Sequence, residues 1–258
     1  MISIGLKLWS INDYYIEDAQ RLYQNGLYQY IELYSVPNSY SQFIECWAHL
    51  NIPYIIHAPH SNSGLNLSKY TYCEQNLAYA KEAFAFADRL HAPIVIFHPG
   101  IDGDISETVR QLKEISDSRI VIENKPYYTM DAKMICNGYS PEQIAYVMKE
   151  TGVGFCLDIG HAIFVANALK TKPIEFLDRF LELKPTMYHL SDGDFTGVTD
   201  QHLHYGQGTF PITQILKHLP KPFQLTIETN KDYRDRLCDF EEDARSLLSK
   251  LHNGKISS

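Results

Sequence analysis

The sequence of 258 residues lacks the features of a membrane or secreted protein. No run of apolar residues approaches the ~18 that a membrane-spanning helix needs. The segment 1–9 has neither the basic start nor the long apolar stretch of a secretion signal. We therefore expect a cytoplasmic protein that does not associate with membranes.

Cysteine motifs and an excess of basic residues are also missing. The five cysteines are odd in number and form no Cys-x-x-Cys pair, which excludes a disulfide framework and a zinc ribbon. The 23 basic residues are outnumbered by 31 acidic ones, giving a formal charge of −8. This balance disfavours a protein that holds nucleic acid mainly by long-range attraction, although it leaves room for a local basic surface.

The sequence does contain a regular alternation of short apolar runs with longer segments of helical period, which indicates repeated βα units. Eight strands are predicted at residues 2–8, 28–33, 53–57, 93–98, 119–123, 154–158, 186–189 and 224–228. Eight helices are predicted at residues 16–25, 40–50, 69–90, 106–115, 141–150, 174–183, 212–219 and 240–251.

Eight βα units in a chain of this length predict an α/β fold, a single (β/α)8 TIM barrel domain over residues 1–258. No Gly/Ser/Pro-rich linker interrupts the repeats. The alternative is an open doubly wound sheet, but the first strand is not followed by the Gly-x-Gly-x-x-Gly of a dinucleotide site.

The last residue of each of six successive predicted strands has a side chain that can bind a metal. They are His57, His98, Glu123, Asp158, His189 and Glu228. The carboxyl ends of barrel strands converge on one mouth, so these groups should form one cluster there. Burying so many imidazoles and carboxylates together without cations would be costly.

Three further candidate ligands lie close by in the sequence. His161 follows Asp158 by three residues, and Asp200 and His202 are two residues apart. Nitrogen and oxygen donors without thiolate suit zinc, manganese or iron. Nine donors exceed what one ion takes, so the number predicts a multinuclear centre.

These motifs together resemble those of a known enzyme family. They are His57-Ala-Pro-His60, Phe97-His-Pro-Gly100, Ile122-Glu-Asn124, Leu157-Asp-Ile-Gly-His-Ala162, His189-Leu-Ser-Asp192, Asp200-Gln-His202 and Ile227-Glu228. In this order they resemble endonuclease IV, the apurinic/apyrimidinic endonuclease family 2, which belongs to the xylose-isomerase-like TIM barrels.

The resemblance implies a hydrolase that cleaves DNA at abasic sites with three Zn²⁺ ions, for which Mn²⁺ or Fe²⁺ are substitutes. It assigns His57 and His98 to the first ion, with Glu123 bridging to the second. It assigns Asp158, His189 and Glu228 to the second ion, and His161, Asp200 and His202 to the third. It further implies that Glu123, Asp158 and Glu228 are catalytic, and we expect a monomer.

The segments that would contact substrate depart from this family. The loop 35–42 carries no Lys or Arg that could contact DNA phosphates. The loop 125–139 has larger residues than the family has after this motif, and it could act as a lid. The candidate substrate-binding residues beside the motifs are His60, Asn66, Lys125, Asp192 and His204.

Two other functions remain open. A divalent-metal isomerase or epimerase acting on a sugar or sugar phosphate would use only Glu123, Asp158, His189 and Glu228. A non-catalytic metal-binding barrel would hold cations without turnover. The five additional ligand-type residues make hydrolysis the first expectation.

Overall fold

A computed structural model describes residues 2–253, with side chains up to residue 251. Its eight strands are β1 Ile2–Trp9, β2 Tyr30–Tyr34, β3 Tyr54–His57, β4 Val95–Phe97, β5 Ile120–Glu123, β6 Gly154–Asp158, β7 Met187–Leu190 and β8 Phe223–Ile227. Each pairs in parallel with the next, and β8 pairs with β1 to close the barrel. The predicted closed (β/α)8 barrel is confirmed; residue 1 and residues 254–258 of the predicted domain lie outside the described part.

Nine α-helices occur within residues 2–253. They are α1 Ile16–Gln24, α2 Tyr40–Ala48, α3 Cys73–Leu90, α4 Ile105–Ile115, α5 Pro141–Thr151, α6 Ile159–Ala168, α7 Pro173–Leu181, α8 Ile212–His218 and α9 Cys238–Asn253. Eight correspond to predicted helices. The helix α6 was not predicted, because its side chains are buried on all sides from Ile159 to Ala166 and show no amphipathic period.

The strand boundaries differ from the prediction by at most two residues, and those of β6 agree with it. The strands β4 and β8 end at Phe97 and Ile227, so His98 and Glu228 are the residues immediately after them. The strand β7 continues one residue beyond His189 to Leu190. The candidate ligands nevertheless remain at the carboxyl ends of the strands.

The helix α5 shows how local sequence sets an element boundary. The Ser140 hydroxyl caps the helix by accepting a hydrogen bond from the Gln143 amide, and Pro141 occupies the first turn. The helix ends at Thr151 and is followed by Gly152, which adopts a left-handed φ of 74°. This boundary fixes where the chain re-enters the barrel at β6.

Two apolar cores hold the fold together. The larger core lies between the barrel and its helices and includes Trp47, Phe86, Phe155 and Phe180. The smaller core fills the barrel interior with Tyr30, Ile55, Ile96, Val121, Cys156 and Met187. At Gly5 a Cβ atom would collide with the Tyr30 ring, so the absence of a side chain there lets this ring enter the interior.

None of the helices within the described residues is long and apolar enough to span a bilayer.

Candidate metal centre

A ring of ionisable side chains lies directly above the small interior core. Successive inward-facing residues of a strand are two positions apart. Two residues beyond Tyr30, Ile55, Ile96, Val121, Cys156 and Met187 come Glu32, His57, His98, Glu123, Asp158 and His189. Lys7 and Glu228, two residues beyond Gly5 and Thr226, complete the ring with one residue from each strand or its end.

Glu123 is the centre of the first group. Its Oε2 atom lies 3.1 Å from Nε2 of His57 and 3.1 Å from Nε2 of His98. All three residues are buried, and their donor atoms are close enough to hold one metal ion. The structure therefore brings together the residues predicted for the first ion.

The second group shares Glu123 with the first. Nδ1 of His189 lies 3.1 Å from Oε1 of Glu228 and 3.4 Å from Oε2 of Glu123. Asp158 is close enough to Glu123 and His161 for these three to hold an ion as well. Glu123 thus lies between the predicted first and second positions.

The third group extends from the helix α6 to the loop after β7. Nε2 of His161 lies 3.2 Å from Oδ2 of Asp200, and Nε2 of His202 lies 2.7 Å from the same oxygen. Oδ1 of Asp158 accepts a hydrogen bond of 2.7 Å from the His161 backbone amide and so caps α6. The spacing of Asp158 and His161 therefore has a second cause, the start of a helix.

Hydrogen bonds fix the orientation of four imidazoles in this cluster. Nδ1 of His57, His161 and His202 donates to the carbonyl oxygens of Ala58, Asn124 and Glu228 at 2.7, 2.8 and 2.6 Å, respectively. Nε2 of His189 donates to Oε2 of Glu32 at 2.9 Å. The opposite nitrogen of each ring faces a carboxylate of the cluster, which is the arrangement of metal-ligating histidines supported by outer hydrogen bonds.

This arrangement fits divalent cations. A neutral imidazole that donates through one nitrogen has only a lone pair on the other, and a lone pair facing a carboxylate oxygen is repulsive unless a proton or a cation lies between them. Nδ1 of His189 is buried with no hydrogen-bond partner, although it faces two carboxylates. The donor set of imidazoles and carboxylates matches zinc, manganese or iron.

The pKa values of the cluster reflect this concentration of charge. Burial disfavours ionisation of Glu123, but the imidazoles of His98 and His189 hold its pKa well below the usual range. Burial and the neighbouring carboxylates raise the pKa of Asp158 to about 6, despite the opposing effect of His161. Burial opposes charging of His202, yet Asp200 raises its pKa to about 9. Without metal, protons on imidazoles balance the carboxylates.

One thiol lies next to the cluster. Cys156 is close enough to Glu123 and His189 to complete a ligand group with them. Burial raises its pKa to about 12, so the group remains a thiol at neutral pH. Cys156 packs in the interior core with Ile96 and Met187, one layer below the carboxylates and imidazoles.

Sequence reasoning missed two charged residues of the ring, Lys7 and Glu32. Nζ of Lys7 forms ion pairs with Glu228 and, at 3.2 Å, with Oε1 of Glu32. Each is a single charge in an otherwise apolar strand, at a position that faces the barrel interior. Counting inward positions from the barrel register could have identified both.

A cavity of about 430 Å³ opens above this cluster of imidazoles and carboxylates. Its floor includes side chains of all three groups, and its wall includes Lys7, Lys125 and Lys231. Trp9 and Met130 lie at its rim and are 47% and 68% exposed. The cavity can accommodate a sugar phosphate or a single nucleotide unit next to the cluster.

The candidate substrate-binding residues fall into two sets. His60 and Lys125 line the cavity. Asn66, Asp192 and His204 are not among its lining residues and brace loops. Asn66 accepts hydrogen bonds from the Ser68 hydroxyl and the Ile101 amide, Asp192 accepts them from the Gly193, Gly206 and Phe210 amides, and His204 contacts Asp243 and Asp232.

The loop 125–139 folds back on itself beside the cavity. Antiparallel bridges join Tyr128 to Ile135 and Cys136 to Ile101. Thr129 and Met130 in this loop line the cavity, in agreement with the expected position of a lid. Its closing over a ligand remains a prediction.

A closed parallel barrel with ionisable groups at the carboxyl ends of its strands defines a class of enzymes with sites at that mouth. The chain belongs to the xylose isomerase-like TIM barrel family (AP endonuclease 2), whose family model matches residues 18–250. Hydrolase and isomerase activities both occur in this superfamily.

Solved structures with the same fold represent both activities. Endonuclease IV from Thermus thermophilus is 20% identical with a TM-score of 0.74, and the similarity covers 97% of this chain and 99% of that one. A D-tagatose 3-epimerase-like protein is 18% identical with a TM-score of 0.71, covering 98% of each chain. At these identities the similarity establishes the fold alone.

A curated relative is an uncharacterized protein of Methanocaldococcus jannaschii. It is 24% identical over 224 residues, covering 78% of this chain and 72% of the relative. This relative therefore does not distinguish a hydrolase from an isomerase.

Proposed function

We propose that the chain is a metal-dependent phosphoester hydrolase of the endonuclease IV type, with three divalent cations and abasic-site DNA as its substrate. One observation carries the proposal. The pair His57 and His98 on one side, and His161, Asp200 and His202 on the other, directly adjoin the set Glu123, Asp158, His189 and Glu228. A sugar isomerase on this barrel needs only the central set.

The contacts support the ligand assignment that the resemblance implies. His57, His98 and Glu123 would hold the first ion, Glu123, Asp158, His189 and Glu228 the second, and His161, Asp200 and His202 the third. Zinc is the first candidate, with Mn²⁺ or Fe²⁺ as substitutes. When bound, such cations stabilise developing phosphoryl charge and activate water for attack.

The chain's own residues would bind and orient the phosphate. Lys7 and Lys125 bring ammonium groups to the cavity wall, next to a cluster that would become cationic when loaded. Burial, with the nearby Lys125, lowers the pKa of His60 to about 3, so this imidazole is neutral. Its N–H group can donate a hydrogen bond to an ester oxygen of the substrate. Glu123 would be shared by the first and second metal positions, and Asp200 would orient His161 and His202 at the third.

The rim of the cavity supports a substrate with an extrahelical sugar. Trp9 and Tyr14 are exposed aromatic side chains on one side, and Met130 projects on the other. Exposed aromatic faces can stack against nucleobases that flank a lesion. A single sugar phosphate unit would reach the cluster through the cavity.

The second candidate is a sugar isomerase or epimerase that uses one divalent ion. It is favoured by the small volume of the cavity and by the absence of Lys and Arg from the loop 35–42, where a duplex would need phosphate contacts. It leaves the first and third groups without a role. We rank it second for that reason.

Metal content and strand cleavage together test the proposal. Purified protein reloaded with zinc should hold about three ions per chain and should nick a duplex at an abasic site but leave an intact duplex uncut. Glu123→Gln should reduce nicking by roughly 10³-fold, since a charge-stabilising effect of several kcal/mol is lost. Glu45→Gln, which removes an exposed carboxylate paired with Arg89, is the control and should retain full activity.

Three results would overturn the proposal. A single ion per chain with interconversion of ketose sugars and no nicking would identify the isomerase. Bound metal without turnover of either substrate would identify a metal-binding barrel. Nicking that survives Glu123→Gln would remove the assigned centre from the reaction.

A further inference from the structure

His189 is held from two sides within the barrel. Its ring is fully buried, with Nδ1 facing Glu228 and Glu123 at 3.1 and 3.4 Å. On the opposite side, Nε2 lies 2.9 Å from Oε2 of Glu32, which is also fully buried. Since a carboxylate can only accept, this contact requires a hydrogen on Nε2, whereas Nδ1 makes no hydrogen bond and would offer its lone pair to a bound cation.

Glu32 is itself fixed by a chain of hydroxyl groups. The Thr226 hydroxyl donates its only hydrogen to Oε2 of Glu32 at 2.6 Å. The Tyr30 hydroxyl lies 2.9 Å from Oγ1 of Thr226 and therefore donates to it. Tyr30 thus donates to Thr226, and Thr226 donates to Oε2 of Glu32. The same oxygen also accepts the hydrogen bond from Nε2 of His189.

Lys7 connects this outer carboxylate to the metal cluster. Lys7 and Glu32 are paired residues on the neighbouring strands β1 and β2. The ammonium group forms ion pairs with Glu32 and with Glu228, a proposed ligand. It therefore balances the charge of Glu32 and keeps Glu228 beside His189.

A fourth metal ion is the competing explanation for Glu32. Glu32, His189 and Glu228 have donor atoms close enough to hold an ion. The ammonium group of Lys7, however, already pairs with both of these carboxylates. The cation between Glu32 and Glu228 is therefore the Lys7 ammonium group, and the remaining role for Glu32 is to orient His189.

We infer that Glu32 is a positioning residue that fixes the tautomer and orientation of His189 for the second metal position, with Thr226 and Lys7 holding Glu32 in place. This inference rests on the metal centre of the proposed function. It does not depend on hydrolysis, because a single-ion isomerase would use His189 at the same position.

Zinc titration calorimetry combined with anomalous scattering tests the inference. In Glu32→Gln a side-chain amide can turn its NH₂ towards Nε2 of His189, which would move the imidazole hydrogen to Nδ1 and obstruct the ligand atom. Loss of such an outer partner typically costs roughly 10–100-fold in metal affinity. The loss should fall on the position between Glu123 and Glu228, while the ions at His57/His98 and at His161/His202 keep their occupancy.

A milder pair of variants guards against misfolding of Glu32→Gln. Thr226→Val removes the hydroxyl that holds Glu32 and should weaken the same position severalfold, whereas Thr226→Ser keeps the hydroxyl and should restore wild-type affinity. Thr151→Val is the control, because Thr151 is a partly buried threonine that donates to the Val147 carbonyl at the end of α5, away from the carboxyl ends of the strands. It should leave all metal positions unchanged.

Two results would overturn the inference. Both differ from the results that would disprove the proposed function. The first is unchanged occupancy and affinity at the His189 position in both Glu32→Gln and Thr226→Val. The second is an equal loss at all positions, which would indicate a general structural role. A wild-type protein that holds one ion at His189 and does not cleave DNA would disprove the proposed function, while selective weakening of that ion by Glu32→Gln would still support the inference.

Discussion

The two side-chain layers inside the barrel are built on the same strands but have opposite chemistry. The lower layer consists mainly of apolar side chains such as Ile96 and Met187, all buried. The upper layer begins two residues later on each strand and is ionisable throughout, with His98 and His189 above those two residues. Backbone geometry is shared, so the difference lies entirely in the side chains.

The apolar layer stabilises the barrel, whereas the ionisable layer supplies the candidate metal ligands. Burying the apolar layer contributes stability roughly in proportion to the apolar area removed from water. Burying the ionisable layer costs free energy unless its charges are paired or bound to cations. We therefore expect the lower layer to determine stability without metal, and the upper layer to determine how stability responds to metal.

Substitutions at Ile96 and His98, two residues apart in and just beyond β4, test this division most strongly. Ile96→Ala should lower the free energy of unfolding by roughly 2–5 kcal/mol, both with zinc and with chelator, because it leaves a cavity in the core. His98→Ala should change the chelated protein by much less and should abolish most of the stabilisation by zinc. Urea unfolding under both conditions measures these effects.

The opposite pattern would contradict these separate roles of the two layers. If His98→Ala destabilised the chelated protein as much as Ile96→Ala, the ionisable layer would be part of the structural core. If Ile96→Ala affected only the zinc-loaded protein, the apolar layer would act through the metal centre.

Metal removal should give the next largest effect. A ligand that binds only the folded state stabilises it by about 2.7 kcal/mol at a free concentration 100-fold above its Kd. Wild-type protein should gain at least this much from zinc, and Glu123→Gln should gain much less because it loses a carboxylate shared by two positions. Thermal unfolding at a series of free zinc concentrations measures the difference; equal gains in both proteins would contradict the assignment of Glu123.

The sequence allowed the eight strands and the cluster at their ends to be predicted because both depend on short-range regularities. Apolar β-rich runs mark the strands, and parallel strands in a barrel place their ends together. His57, His98 and Glu123 could be identified in this way without knowledge of the packing. Their mutual distances could not, because these depend on the barrel register.

Other features escaped sequence reasoning for physical reasons. The helix α6 is apolar on all sides, so it lacks the period that marks surface helices. Lys7 and Glu32 each appear as one charge within an apolar strand, and only the closed barrel brings them together. Asn66, near a ligand motif in sequence, has its side chain engaged in bracing a loop.

Two lysines at the barrel mouth differ in how their charge is compensated, and we expect the smallest effect from this difference. Burial opposes charging of Lys7, but Glu228 and Glu32 raise its pKa well above the usual value. Burial lowers the pKa of Lys231 to about 8, and its ammonium group donates to the Thr229 carbonyl. Carboxylate partners compensate the charge of Lys7, whereas the buried charge of Lys231 lowers the stability of the folded protein.

Lys231→Gln should therefore stabilise the protein at neutral pH by about 1 kcal/mol, allowing for partial exposure of the site. The folded-state pKa of Lys231 lies below its unfolded value, so the cost is fully present below pH 8 and disappears as the pH rises towards about 10.4. The difference in unfolding free energy between Lys231→Gln and wild type, measured in urea with chelator at pH 7 and pH 10, should shrink accordingly. A difference that stayed constant or grew with pH would show that Lys231 is stabilised by its surroundings, as Lys7 is.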